Sequence, residues 1–393
     1  MQNPKKIALF LDGTWNVVSN NTNVWRLKTL CEETETQIAY YSAGVGTQLG
    51  TAAVGGGIGY GLDQGVIDAY EWLIEHYNDN DEIFILGFSR GAYTARSLAG
   101  LISKCGLLKI GSPLGVGELY DRYRLGTDVK TIRELQRAEK EKKAPSNLQE
   151  KWLLKYCKAI PVRFIGVWDT VGALGIPIGH VKEISTNSYN FLETDLRINE
   201  SFAYHALAVD EHRKKFAPTF WTTPVLKSGA DAYPPRPIEH VEQRWFVGAH
   251  ADVGGGYNGN LLSQIPLKWL MDKAINHGLQ FQEKIQLDGS EITDPSVHDS
   301  YMEFLWGIFE WPLIGGILQM LSPRHYRPIG VVADPKQVPS AINETIDASV
   351  FERWRKDSTY RPKNLVEWAS KNNLDPALLT RSVRADDPRV IIA

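Results

Sequence analysis

One stretch limits what this chain can fold into: Glu82 to Arg96, read as Glu-Ile-Phe-Ile-Leu-Gly-Phe-Ser-Arg-Gly-Ala-Tyr-Thr-Ala-Arg. The apolar run Ile83–Leu86 has no polar interruption, as expected of a strand buried on both faces. It ends in Gly87-Phe88-Ser89-Arg90-Gly91. From Ala92 onward apolar residues recur at helical spacing through Ala95, Leu98, Ala99 and Ile102. A strand that turns directly into a helix around Gly-x-Ser-x-Gly is the context of a nucleophile elbow, with Ser89 Oγ held out at the top of the sheet. Glycines on either side relieve the crowding of so sharp a turn, and the helix aims its first N–H groups at any anion formed there. A tight βα turn with a serine capping its helix uses the same residue types, so the reading needs partners from elsewhere in the chain.

Around this stretch strands and helices alternate. Lys6–Leu11 is a strand. A helix runs from Val24 towards Cys31 behind the cap Asn21-Thr22-Asn23, and Ile38–Ser42 is a second strand. Val66, Ile67, Tyr70, Leu73, Ile74 and Tyr77 share one face of a second helix. This βαβαβα order is the signature of a parallel sheet. Gly44–Gly61 reads as a flexible surface loop: Gly57-Ile58-Gly59-Tyr60-Gly61 lacks the spacing of a dinucleotide fingerprint, and there is no phosphate-binding loop. Asp128–Lys143 is charged and helical in pattern, a solvated insertion followed by helix over Trp152–Cys157. Val162–Trp168 and Val241–Val247 are further strands, and Leu267–His277 is a helix. The expected fold is therefore α/β, an α/β-hydrolase-like, mainly parallel sheet flanked by helices. Residues 1–280 form the core, with a helical insertion around 111–158. Residues 281–393 form a C-terminal extension packed on it. Within that extension Phe304–Leu321 is apolar and aromatic but broken by Glu310, Pro312, Gly315 and Gly316, which favours a buried helical hairpin or a lid facing lipid over a membrane span.

In such sheets ligands gather at the carboxyl ends of the strands. Three strand ends carry chemistry. The first is Ser89. The second is Asp169, directly after Val162–Trp168, placed to orient a histidine and stabilise its cation. The third is His250 in the glycine-rich run Gly248–Tyr257, the candidate general base. The order Ser, Asp, His is that of α/β-hydrolases. The Arg90 N–H and one from Gly13 or Thr14, in the loop after the first strand, are candidates for an oxyanion hole. His298, followed by Asp299, is a rival base. Asp12, His250 and Asp252 together offer an alternative, a metal-assisted phosphoester hydrolase, although a single His-x-Asp is weak evidence for a metal. His205, Asp210, Glu211 and His212 match no zincin pattern, and a structural role is expected of them.

Composition narrows the partners. A net charge of −3 leaves no nucleic-acid footprint. The three scattered cysteines, Cys31, Cys105 and Cys157, form neither a disulfide framework nor a zinc site. The N-terminus enters a short strand without a secretory leader. No cofactor is called for, and a cytoplasmic location in the producing cell is expected.

Six motifs occur in one order: Asp12-Gly13-Thr14-Trp15-Asn16, Gly44-Val45-Gly46-Thr47, Gly87-Phe88-Ser89-Arg90-Gly91-Ala92, Val167-Trp168-Asp169-Thr170-Val171, Ala208-Val209-Asp210-Glu211-His212-Arg213 and the Gly248–Tyr257 block. Together they resemble the DUF2235 family, the catalytic domain of Tle1-like lipase effectors of bacterial type VI secretion. The resemblance spans most of the chain, and Ser349-Val350-Phe351-Glu352-Arg353 fits it as well. It implies an α/β-hydrolase of the phospholipase A type whose triad falls on Ser89, Asp169 and His250. It also implies a lipid or other ester substrate, peripheral membrane contact, export by a specialised secretion system, and an immunity or secretion partner. The competing class is a catalytically idle hydrolase scaffold serving as a binding or toxin module.

Overall fold

The computed structural model describes residues 4–13, 20–44, 57–171, 201–222, 236–294, 297–303, 323–330 and 341–392. Its elements in chain order are β1 (Lys6–Leu11), α1 (Asn23–Leu30), β2 (Gln37–Ser42), α2 (Gly57–His76), β3 (Glu82–Phe88), α3 (Arg90–Cys105), β4 (Leu107–Leu108), α4 (Val116–Arg124), α5 (Ile132–Lys140), α6 (Leu148–Tyr156), β5 (Cys157–Lys158), β6 (Phe164–Trp168), β7 (Phe202–Ala208), β8 (Val241–Phe246), α7 (His250–Gly254), α8 (Gln264–Asn276), β9 (Glu344–Ile346), α9 (Ala348–Lys356), α10 (Lys363–Lys371), β10 (Ser382–Arg384) and β11 (Ile391–Ile392).

Nine strands make one sheet in the order β11-β10-β9-β8-β7-β6-β3-β1-β2, and β4 pairs with β5 in a small separate ribbon. Pairing is parallel from β2 through β9, and antiparallel only between β9 and β10 and between β10 and β11. Strand alternation sends side chains to two apolar layers. Ile7, Leu9, Leu11, Ile83, Ile85, Ile165 and Val167 pack on the face covered by α2 and α3. Ala8, Phe10, Phe84, Leu86, Phe164 and Trp168 pack on the opposite face, against α1 and α8. Each fully buried aliphatic or aromatic side chain contributes about 1.5–3 kcal/mol, which offsets the ordering of a strand that has no solvent face. Local signals agree with this assembly. Thr22 caps α1 by accepting from Trp25 N at 3.2 Å, and Thr131 with Glu134 forms a capping box at α5.

Two expectations change, and one strand is added to them. Gly57–Gly61 is not loop but the first turn and a half of α2. Glycine lowers helix propensity, yet the helix here runs 20 residues to His76. Phe202–Ala208 is a fully buried central strand. Residues after 280 are more than a packed extension: β9 pairs in parallel with β8, with Trp245 opposite Ile346, and β10 and β11 complete the same sheet. A third cluster of Leu207, Trp245, Ile346, Val350, Phe351, Leu365 and Trp368 unites both parts. The Phe304–Leu321 stretch lies outside the described residues. No helix among the described residues is long and apolar enough to cross a membrane.

Candidate active site

The register of the sheet sets the site. Phe88 pairs with Trp168, so the next residues, Ser89 and Asp169, leave neighbouring strands at the same level. Both hold backbone conformations rare for side-chain-bearing residues: Ser89 has φ 57° and ψ −120°, and Asp169 has φ 37°. Such strain costs on the order of 1–3 kcal/mol per residue and persists only where the surroundings over-determine it. Here they do. Ser89 N donates to Trp168 O at 3.1 Å, and Asp169 N donates to Ala206 O at 2.7 Å. The two glycines of the serine motif have a visible reason. A Cβ on Gly87 would lie 2.5 Å from Gly91 O, and one on Gly91 would lie 2.1 Å from Leu11 O and 2.5 Å from Asp12 O. Their absence lets the start of α3 seat directly on the end of β1.

His250 opens α7, four residues past the last paired position of β8, Phe246. Its Nε2 lies 2.8 Å from Ser89 Oγ, and its Nδ1 lies 2.5 Å from Asp169 Oδ2. The hydrogen-bond chain Ser89–His250–Asp169 therefore crosses the carboxyl ends of β3, β6 and β8. Asp169 is fully buried and His250 is 6% exposed. Phe88 packs against the imidazole at 4.7 Å between ring centres, and Phe216 meets it edge-on at 5.0 Å. Burial pushes the Asp169 carboxyl up. The Arg327 guanidinium and then His250 outweigh that and hold it well below the usual carboxylate range.

The segment after β7 cradles the histidine loop. Asp210 accepts from Gly248 N at 2.7 Å and Tyr360 Oη at 3.0 Å. Glu211 accepts from His250 N at 3.3 Å and Ser300 Oγ at 2.8 Å. Burial pushes the Glu211 carboxyl up, but Arg213, bonded through Nε and Nη2 at 2.8 Å, outweighs it and holds it at about 2. His205 supports the acid from below, with Nε2 accepting from Thr170 N at 3.0 Å. Burial, then the neighbouring Arg96, lowers its imidazole to about 3, so the ring is neutral and free to accept.

The remaining candidate residues are placed as follows. Arg90 begins α3, so its N–H belongs to the helix N-terminus beside Ser89. Gly13 N donates to Asp12 Oδ1 at 2.8 Å, which turns that donor towards its own neighbour; Thr14 lies outside the described residues. Asp12 also accepts from Thr22 Oγ1 at 2.5 Å and Tyr41 Oη at 3.1 Å. Asp252 accepts from Ala249 N at 2.8 Å, from Asn260 and from His298 Nδ1 at 2.7 Å, and burial pushes its carboxyl up. His298 thus bonds Asp252, stacking on Tyr257 at 3.7 Å between ring centres, while Asp299 pairs with Arg324. Asp12, His250 and Asp252 each spend their polar atoms on separate partners. No three metal-ligating side chains converge among the described residues.

Sequence reasoning missed Arg327. This fully buried arginine donates through Nη1 to Asp169 Oδ1 at 2.7 Å and through Nη2 to Asp169 Oδ2 at 2.9 Å. No local pattern marks it, because its partner lies 158 positions away in the chain.

A mainly parallel sheet with a serine on a strained strand-to-helix turn, and acid and histidine at later strand ends, defines the α/β-hydrolase class. The comparisons place the chain more narrowly. It belongs to the family described as "T6SS, Phospholipase effector Tle1-like, catalytic domain", whose model matches residues 5–273. It is similar to an uncharacterised protein of Saccharomyces cerevisiae, 27% identical over a 233-residue alignment that covers 54% of this chain and 32% of that protein. The chain thus spans about a third of its yeast relative's length. Among solved structures it is similar to an uncharacterised protein from Pseudomonas aeruginosa, with a TM-score of 0.42, 18% identity, and coverage of 74% of this chain and 49% of that one. It is also similar to the Tle1 effector bound to the VgrG spike of the type 6 secretion system, with a TM-score of 0.32, 18% identity, and coverage of 65% and 52%.

Proposed function

We propose that the protein is a serine hydrolase of carboxylic esters, phospholipase A-like in substrate. The observation that carries this reading is the Ser89–His250–Asp169 hydrogen-bond chain, at 2.8 and 2.5 Å, built on two strained strand ends. His250 Nε2 takes the proton of Ser89 Oγ as the oxygen attacks the ester carbonyl. Asp169 holds Nδ1–H, which fixes the tautomer and stabilises the imidazolium. The Arg90 N–H stands where the tetrahedral oxyanion forms; losing one such donor typically costs about 10²–10³ in turnover. His250 then returns the proton to the leaving alcohol, and water, activated by the same imidazole, releases the acyl group from Ser89. The lipid character of the substrate rests on the family's description. The same description supports delivery by a type VI secretion system and a partner on that route.

The test is hydrolysis of a phospholipid panel beside short-chain p-nitrophenyl esters, with fluorophosphonate labelling, for wild type and Ser89→Ala. Fatty-acid release and labelling that both vanish in the variant support the reading. Labelling that persists in Ser89→Ala refutes the nucleophile. Serine-dependent cleavage of small esters alone moves the substrate away from lipid.

A further inference from the structure

An acid that orients a catalytic histidine usually has neutral donors for its remaining lone pairs. Asp169 instead has a cation. Arg327 grips both carboxylate oxygens, at 2.7 and 2.9 Å, while His250 Nδ1 shares Oδ2 and Ala208 N approaches Oδ1 at 3.2 Å. The same two guanidinium nitrogens donate to Ala208 O at 2.8 Å and Phe216 O at 2.5 Å. One fully buried side chain thus ties the strained Asp169 to the end of β7 and to the turn that sets Phe216 against His250.

We propose that Arg327 is a positioning residue of the hydrolytic site: it locks the Asp169 carboxylate in place and shares its charge, so that Asp169 orients His250 without making it too strong a base. This inference rests on the serine-hydrolase reading above. The physical argument is a competition. A buried carboxylate facing only an imidazole favours the imidazolium, because an opposite charge within about 4–6 Å stabilises the charged form. A guanidinium on the same carboxylate cancels much of that field, and in a low-dielectric interior the cancellation is felt strongly. Among the described residues the other charged or titratable groups around the pair are few. Glu211 is neutralised by Arg213, His205 is held neutral by burial, and His325 stands two residues before Arg327. Among the described residues Arg327 is therefore the principal cation on Asp169 apart from the histidine itself.

The test is the pH dependence of the second-order rate of fluorophosphonate labelling, which needs no knowledge of the natural substrate. Arg327→Met exposes His250 to the whole Asp169 charge, so the acid limb of the profile moves up by about one pH unit, and the labelling rate at the wild-type midpoint falls by about fivefold. Arg327→Gln, which keeps hydrogen-bonding capacity but not charge, gives the same upward shift and serves if the methionine variant does not fold. Arg327→Lys restores the charge without the fork, so its midpoint returns towards wild type while its rate stays below. In an Asp169→Asn background, Arg327→Gln produces no further shift, because the charge being shared is gone. A purely structural arginine would change the fraction of folded protein and the thermal midpoint but not the pH midpoint. Ser89-dependent labelling with an unmoved acid limb in Arg327→Gln overturns the inference and leaves the triad standing. Labelling independent of Ser89 overturns the triad itself.

Discussion

Glu344 gives the sharpest stability prediction in the molecule. It sits on β9, 6% exposed, with Oε1 accepting from Trp245 Nε1 at 2.6 Å and Gly330 N at 2.7 Å. No lysine or arginine pairs with it among the described residues; the charge that acts on it is Asp386, of like sign. Burial raises its carboxyl from 4.5 to about 7. The folded state therefore holds a proton that the unfolded chain releases near 4.5. The stabilising contribution is complete below that value, falls as pH rises from 4.5 to about 7, and is gone above. The full span is about 3 kcal/mol, of which about 2 kcal/mol is lost between pH 5 and pH 8. Glutamine retains the carbonyl acceptor for Trp245 and Gly330 but cannot ionise. Its placement cost, whatever the size, does not vary with pH. Urea unfolding of wild type and Glu344→Gln at pH 5 and pH 8 isolates the effect: the variant gains about 2 kcal/mol on wild type between the two values. A stability difference that is the same at both pH values would refute the assignment of a buried, proton-bearing carboxyl at this position.

Two further outcomes follow from the site. His250→Ala loses fluorophosphonate labelling by about 10³-fold or more, whereas His298→Ala stays within about threefold of wild type because its imidazole is committed to Asp252; equal losses in the two variants would reverse the base assignment, and chelator treatment changes neither result. Gly91→Ala forces a methyl group against the carbonyl oxygens of Leu11 and Asp12, so it lowers stability by about 2 kcal/mol or more and abolishes labelling; a thermal midpoint within a degree of wild type would show that the close approach is not needed.

Much of the fold is legible in the sequence because parallel strands buried on both faces leave unbroken apolar runs. Ile83–Leu86 and Phe164–Trp168 are such runs, and they lead into Ser89 and Asp169 of the hydrogen-bond chain. What escaped has physical causes. Phe202–Ala208 contains Tyr204 and His205, so its run looks broken, although Tyr204 bonds Glu239 O and His205 bonds Thr170. Gly57–Gly61 reads as loop because glycine disfavours helix locally, and a helix is nonetheless extended through it. The strands β9, β10 and β11 have 3, 3 and 2 residues, too few for alternation to show. Asp252 stands two positions from His250 in sequence, but two steps along a helix turn a side chain to another face, and it meets His298 instead. Arg327 and Asp169 illustrate the general limit, since an ion pair closed across the fold leaves no periodic trace in the chain.

The placement of β9 has a consequence for any attempt to work with a shortened protein. The family's match ends at residue 273, but the strand bearing Trp245 is flanked on one side by β7 and on the other by residues 344–346. A fragment cut near 280 would leave β8 as a naked edge, a row of unpaired N–H and C=O groups open to any passing strand. The fragment would carry Ser89, Asp169 and His250, yet the last strand of its own site would be its stickiest surface. The part that bears the hydrogen-bond chain is thus not a separable module, and self-association would be the expected fate of the excised piece.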